Sequence, residues 1–420
     1  MKKVMTDGVH LNVHESSKFK TTAMTVDFVE PLDHRKFAAR AMVAEMMENY
    51  SQKYNSKLKV ARRLSELFGA DFGTNVFKIG NRSVLRVVMS FVNNDFTLDN
   101  SDVLDEVLAF LAEMIFHPNQ VGHQYVDDQF QIQRDNLVQY LNSLSDDRRY
   151  YALKRTRELY FYGQPNYSES VIGSPQQVMS LKNQDVLNEL KNILANDEIH
   201  ISILGRLSPK QIEDVQHHLA FSPRPDLSSK IRPELGQSSE QSKVETIKGE
   251  QSKFDLAFDF PILIGDRNYF SAIVMNALLG GTQQSLMFHN IREKHSLAYY
   301  ISSSYNSTLG YVAIESGINA DDAEEVEALI HQQIALIKAQ KYDDQRFLDV
   351  KSSLVDGYDS KFDSQRRTLN GDFVNELYGV DLSVDQWIQK IRAVTKDDLS
   401  KVASMMKLKT RFLLKGTNNG

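Results

Sequence analysis

The chain has no cysteine among its 420 residues. That single absence removes disulfides, thiolate nucleophiles and cysteine-ligated metals together. No apolar run approaches the roughly 20 residues of a membrane-spanning helix, and Met1 to His14 holds no apolar core of signal-peptide length. The sequons at Asn81, Asn166 and Asn306 therefore carry little weight. The expected location is the cytoplasm, with no membrane partner. A basic surplus is lacking as well, since 49 Lys and Arg stand against 55 Asp and Glu, a net charge of -6. Nucleic-acid binding is usually announced by a basic footprint, so no nucleic-acid partner is expected.

Familiar catalytic motifs are missing too. No GxxxxGK followed by Ser or Thr cradles a phosphate, no GxGxxG follows a strand, and no GxSxG nucleophile elbow is present. None of the eleven histidines stands in HExxH or HxxEH. His117 and His123 are six apart, as are His289 and His295, whereas paired helical ligands need three or four. His217 and His218 are adjacent and point in different directions. Each histidine reads as structural or surface, and no metal ligand is assigned. The acidic pairs Asp127-Asp128, Asp146-Asp147, Asp321-Asp322 and Asp343-Asp344 stand where helices begin or end. The macrodipole favours carboxylates in a first turn, so these read as caps.

What is present describes a globular protein, 41% hydrophobic and 25% charged. Its length exceeds one ordinary core and suggests roughly two to four domains. The most polar stretch, 222–253, is rich in Pro, Ser, Gln and Glu and reads as a linker. It separates an N-terminal domain, 1–221, from a C-terminal domain, 254–420.

The two halves repeat one another. Strand candidates Thr21 to Phe28 and Phe254 to Phe260 each lead to an apolar helix, Phe37 to Met47 and Phe270 to Leu279. Strands at Ser83 to Phe91 and Tyr311 to Ile318 follow. Val103, Leu104, Val107, Leu108, Leu111, Met114 and Ile115 fall on one helical face, as do Val326, Leu329, Ile330, Ile334 and Ile337. Tyr125-Val-Asp-Asp-Gln129 is echoed by Tyr342-Asp-Asp-Gln345, and Glu158-Leu-Tyr160 by Glu376-Leu-Tyr378. Each half then offers a helix (Asp185 to Leu194; Asp397 to Met406) and a strand ending in Gly (Ile199 to Gly205; Arg411 to Gly416). Strands mixed with blocks of consecutive helices favour α+β over alternating βαβ winding. The expectation is two homologous domains, each a mainly antiparallel sheet with helices on one face. An extra helix, Pro209 to Leu219, carries Ser208 as N-cap and Gln211 to complete a capping box.

One segment is more specific. Ala277-Leu-Leu-Gly-Gly281 leads into Phe288-His-Asn-Ile-Arg-Glu-Lys-His-Ser-Leu-Ala-Tyr299. This resembles the C-terminal-half signature of the pitrilysin/insulinase zinc peptidases, which include the mitochondrial processing peptidase. In that signature a Gly-Gly loop precedes "LFxxIREKxGLAY"; here Ser296 replaces the usual Gly. The repeat order extends the resemblance over essentially the whole chain. It implies a clamshell of two α+β domains around a peptide chamber, with Arg292 and Tyr299 binding the substrate backbone.

The resemblance also places a loss. The family's HxxEH falls on Ala41-Met-Val-Ala-Glu45, between flanks that match at Ser51 to Ser56 and Leu64 to Ala70. Both zinc histidines are replaced, by Ala41 and Glu45, and the general base is Ala44. The third ligand falls at about Gln139 or Tyr140. Zinc, the family's cofactor, is therefore not expected, and no catalytic residue is assigned. The chain resembles the bacterial subset that lacks HxxEH. That implies a non-catalytic member that binds peptide or unfolded polypeptide beside a homologous HxxEH-bearing subunit, or as a self-dimer. A scaffold without a peptide role remains open. So does a peptidase with a metal site rebuilt from Glu45, Glu48 and Asp71.

Overall fold

A computed structural model describes residues 2–97, 102–227, 231–233, 235, 239–249 and 251–417. Within the expected linker, 228–230, 234, 236–238 and 250 lie outside the described residues. The chain forms two compact units. The first comprises Met1–Ser143, Glu169–Ile231 and Gln365–Val374; the second comprises Leu144–Ser168, Arg232–Ser364 and Asn375–Gly420. Each unit thus takes in one short segment from the opposite half of the sequence.

The first unit is built on β1 (Lys2–Thr6), β2 (Val9–Glu15), β3 (Thr21–Pro31), β4 (Asp71–Ile79), β5 (Arg82–Val92) and β8 (Glu198–Gly205). A two-stranded ribbon pairs β6 (Gln120–Val121) with β7 (Gln124–Tyr125). The sheet runs β1-β2-β8-β3-β5-β4 and is antiparallel except where β2 lies parallel to β8. Strand β8 shows how the pattern works. Ile199, Ile201 and Ile203 alternate with Glu198, His200 and Ser202, so the isoleucines share one face and the polar residues the other.

Helices cover one face of this sheet. The Phe37–Asn49 helix is buried nearly all round, which its Ala, Met and Val composition allows. Arg40 is buried within it, its guanidinium 2.7 Å from Asp197, 3.2 Å from Glu30 and 3.2 Å from the Phe28 carbonyl oxygen that it donates to. These partners offset the cost of burying the charge and pin the helix to the sheet. The polar face is covered by the 365–374 segment. There Leu369 packs on Ala23 and Leu204, and Asn370 accepts from Arg86, which is itself paired with Asp27 at 2.5 Å.

The second unit repeats the plan. Strands β9 (Gln241–Lys248), β10 (Ser252–Asp259), β11 (Ala298–Asn306), β12 (Tyr311–Ile318) and β13 (Lys407–Thr417) run in the order β11-β12-β10-β13-β9. Again one pair is parallel, β13 with β9. Strands β9, β13, β10, β12 and β11 correspond in order to β2, β8, β3, β5 and β4. The main core joins Leu256, Phe258, Val312 and Ile314 of the sheet to Val326, Ile330 and Leu399 of the helices. The opposite face carries the Arg148–Tyr160 helix, whose Ala152 packs on Phe412 and Leu414. Both sheets therefore have their own helices on one face and a segment from the other half of the chain on the second.

The stretch expected as a linker contains β9 within 222–253. Its pairing with β13 is satisfied by backbone alone, while its side chains stay largely exposed. That explains why a polar sequence with few large apolar residues still forms a strand. The Ser208 cap and its box with Gln211 are present as expected. No helix among the described residues is long and apolar enough to cross a membrane.

Candidate functional site

Two places matter, one in each unit. The first is the Phe37–Asn49 helix, where the resemblance puts the lost zinc motif. Ala41 and Ala44 are 3% and 5% exposed and offer no donor atom to a metal. Glu45 is half-buried, and burial, followed by the Glu48 charge, pushes its carboxyl above the ordinary range, against the pull of Lys57. Glu48 is engaged elsewhere. Its Oε2 accepts the Thr74 backbone N–H at 2.7 Å and the Thr74 hydroxyl at 3.0 Å. The Thr74 hydroxyl also lies 2.9 Å from the Ala44 carbonyl oxygen.

The third ligand position fares no better. On the Asp127–Asp146 helix, Phe130, Gln133, Leu137 and Leu141 are buried, whereas Gln139 and Tyr140 are exposed. The inward Gln133 donates to the Tyr50 hydroxyl at 2.9 Å and lies 3.3 Å from Lys57. Neither an amide nor a phenol is among the usual zinc ligands. The residues at this place do not fit the family's zinc. The ligand atoms of Glu45, Glu48 and Asp71 do not converge: among the described residues the one group of three ligand-type side chains within metal-binding reach is His10, Glu198 and His200.

The second place is the C-terminal signature. The Tyr269–Asn276 helix widens into a π-turn at Ala277–Gly281, and Phe288–Lys294 forms another. Such wide turns are rare and frequent at functional sites. A Cβ at Gly280 would sit 2.0 Å from Met287 Cε and 2.9 Å from the backbone nitrogen of Ser303 on β11. The first glycine of the pair is there because the turn runs against the strand. Ser296 has φ +55, the left-handed region that a glycine fills without strain.

This geometry presents both residues expected to meet a peptide. Arg292 is exposed at the end of the π-turn, its guanidinium 4.8 Å from the centre of the Phe288 ring. Tyr299, next to the first residue of β11, is 56% exposed, and its hydroxyl lies 3.4 Å from Asn319 Oδ1. Neither is buried in the core. Both side chains can donate hydrogen bonds outward, the chemistry that peptide carbonyls accept.

Known proteins share this chain's sequence pattern and fold. Residues 180–354 match the family profile described as "Peptidase M16 inactive domain". The "Probable inactive metalloprotease YmfF" of Bacillus subtilis (strain 168) is 22% identical over 418 residues, which cover 98% of this chain and 96% of that protein. A conserved protein from Enterococcus faecalis V583, known from its crystal structure, is 30% identical with a TM-score of 0.93, over 100% of this chain and 99% of that one. The structure of a peptidase M16 inactive domain from Pseudomonas fluorescens shares the fold at 16% identity and a TM-score of 0.78, covering 99% of this chain and 98% of that one.

Proposed function

From the premise that this chain belongs to the pitrilysin/insulinase-type M16 peptidase family as an inactive homologue, we propose that it binds peptide and supports a zinc-bearing partner. That partner is a homologous subunit with an intact HxxEH; the alternative assembly is a self-dimer whose two copies share peptide capture. The setting is peptide processing or degradation in the cytoplasm.

One observation carries the reading. The segment expected to hold zinc has been filled with Ala41, Ala44 and an occupied carboxylate at Glu48, while Arg292 and Tyr299 remain exposed. Family zinc lowers the pKa of its bound water and polarises the scissile carbonyl. Without donors at this place the chain's own contribution is capture. Arg292 supplies a forked donor and Tyr299 a hydroxyl, two groups suited to an extended backbone.

The test uses the full-length chain and a fluorescent unstructured peptide. Arg292→Ala with Tyr299→Ala is expected to weaken binding about tenfold or more, the loss of roughly two hydrogen bonds, with the melting temperature unchanged. Co-purification is expected to recover an HxxEH-bearing homologue or a self-dimer. A monomer without measurable peptide affinity would refute the reading.

A further inference from the structure

On the polar face of the first sheet, β2 lies parallel to β8 with His10 opposite His200. Their rings stack at 4.7 Å between centroids and 21° between planes. Glu198, two residues before His200 on the same face, brings its Oε1 to 3.1 Å from His10 Nε2 and 3.4 Å from His200 Nε2. One donor atom from each of the three lies within 4.8 Å of the others. Glu198 and His200 are buried, and His10 is half-buried.

We propose that His10, Glu198 and His200 form a binding site for a divalent transition metal of the zinc type, fastening β2 to β8. The donor set is the one zinc favours, two imidazoles and a carboxylate. Spacing agrees. With bonds of about 2.0–2.1 Å, tetrahedral ligands stand about 3.3 Å apart, and the two nitrogen–oxygen separations fall on either side of that value.

Two further contacts favour a metal over a plain ion pair. His10 Nε2 lies 3.2 Å from Asp226 Oδ1 as well as 3.1 Å from Glu198 Oε1. A single N–H shared between two carboxylates bonds each of them less well than one alone, whereas a cation attracts both, and Asp226 or a water then completes the shell. Glu198 is oriented from behind, since its Oε2 accepts the Leu227 N–H at 3.2 Å. Support of a ligand's second atom is a regular part of metal sites. Two buried ligands on β8 and a half-buried one on the adjacent β2 suit a structural site rather than an open catalytic one. None of these residues belongs to the Ala41–Glu45 segment or to the Arg292/Tyr299 signature, so the site stands whether or not peptide binding does.

The test is zinc titration of the chelator-stripped full-length chain against a chromophoric competitor, with cobalt(II) as a spectroscopic probe. The expected result is about one ion per chain and the intense visible bands of tetrahedral cobalt. His10→Ala and His200→Ala are each expected to weaken zinc binding about a hundredfold or more, while His295→Ala leaves it unchanged. His10 is half-buried, so its variant remains informative if the His200 variant does not fold. Binding that persists undiminished in His10→Ala, or is lost on Glu45→Gln instead, overturns the proposal. So does a stripped chain that takes up no zinc.

Discussion

Glu48 and Thr74 are joined twice: one carboxylate oxygen of Glu48 receives both the backbone N–H and the hydroxyl of Thr74. Thr74 lies on β4, the last strand of its sheet, paired with β5 alone. On this edge strand its N–H donates to a side-chain carboxylate. The helix that lost its zinc motif therefore holds the edge strand of its sheet through Glu48. Glu48→Ala is expected to cost about 1 kcal/mol, the price of leaving a partly buried donor unpaired. Hydrogen exchange at the Thr74 amide is expected to quicken; an unchanged rate would show that the bond carries no weight.

Reinstalling the motif is expected to fail. Of Ala41→His, Ala44→Glu and Glu45→His, the first two force large polar groups onto buried positions packed against the core. Overpacking of this kind costs about 1–3 kcal/mol, seen as a lower denaturation midpoint. No peptidase activity is expected, because Gln139 and Tyr140 on the exposed face of their helix supply no third ligand. Chelator-sensitive cleavage of an unstructured peptide by the triple variant would contradict this.

Ser296 holds the left-handed conformation at φ +55. That region costs a residue with a Cβ about 1–2 kcal/mol, and glycine returns part of the gain through its freer unfolded state. Ser296→Gly is thus expected to stabilise the second unit by about 0.5–1 kcal/mol, as a rise in melting temperature. A fall would mean the serine side chain makes a compensating contact.

Asp255 on β10 gives the second unit a pH dependence. Burial, then the charge of Glu315, pushes its carboxyl up to about 8, against the Thr156 hydroxyl, the Ser316 N–H and Lys253. The folded state holds a proton that the unfolded chain releases near the ordinary value of 3.8. This group's stabilising effect is therefore complete below about pH 4 and declines up to about pH 8, by at most about 1.4 kcal/mol per unit. Asp255→Asn should flatten the wild-type slope across that window in denaturation measured at several pH values. Parallel slopes would rule the mechanism out.

Apolar periodicity made most of this fold readable. The Val103–Phe116 and Ala323–Lys338 helices show their buried faces directly in the spacing of Val, Leu and Ile. Strands β3, β5, β10 and β12 are buried enough to read as strands. Strand β9 was not legible, because its side chains are mostly exposed and its order comes from pairing with β13. The exchange of segments between halves was hidden too, since a helix carries no mark of which sheet it will cover.

Of the candidate site, the signature around Arg292 and Tyr299 was legible because its chemistry lies within one short run. The His10 cluster was not. His10 is 188 residues from Glu198 in sequence and meets it, and His200, only through the parallel pairing of β2 with β8. Spacing rules for ligands on one helix say nothing about two strands joined in this way.

The exchanged segments have a consequence for how the protein is made. Most of the first unit has left the ribosome once Ile231 is synthesised, yet residues 365–374 also belong to it. Until they emerge, the polar face around Asp27, Arg86 and His200 lacks its cover of Leu369, Asn370 and Phe373. At ordinary synthesis rates the wait is on the order of ten seconds. A nascent chain halted in that interval would expose the unfinished sheet to chaperones and proteases, and a shortened gene product ending at the midpoint would remain in that condition permanently.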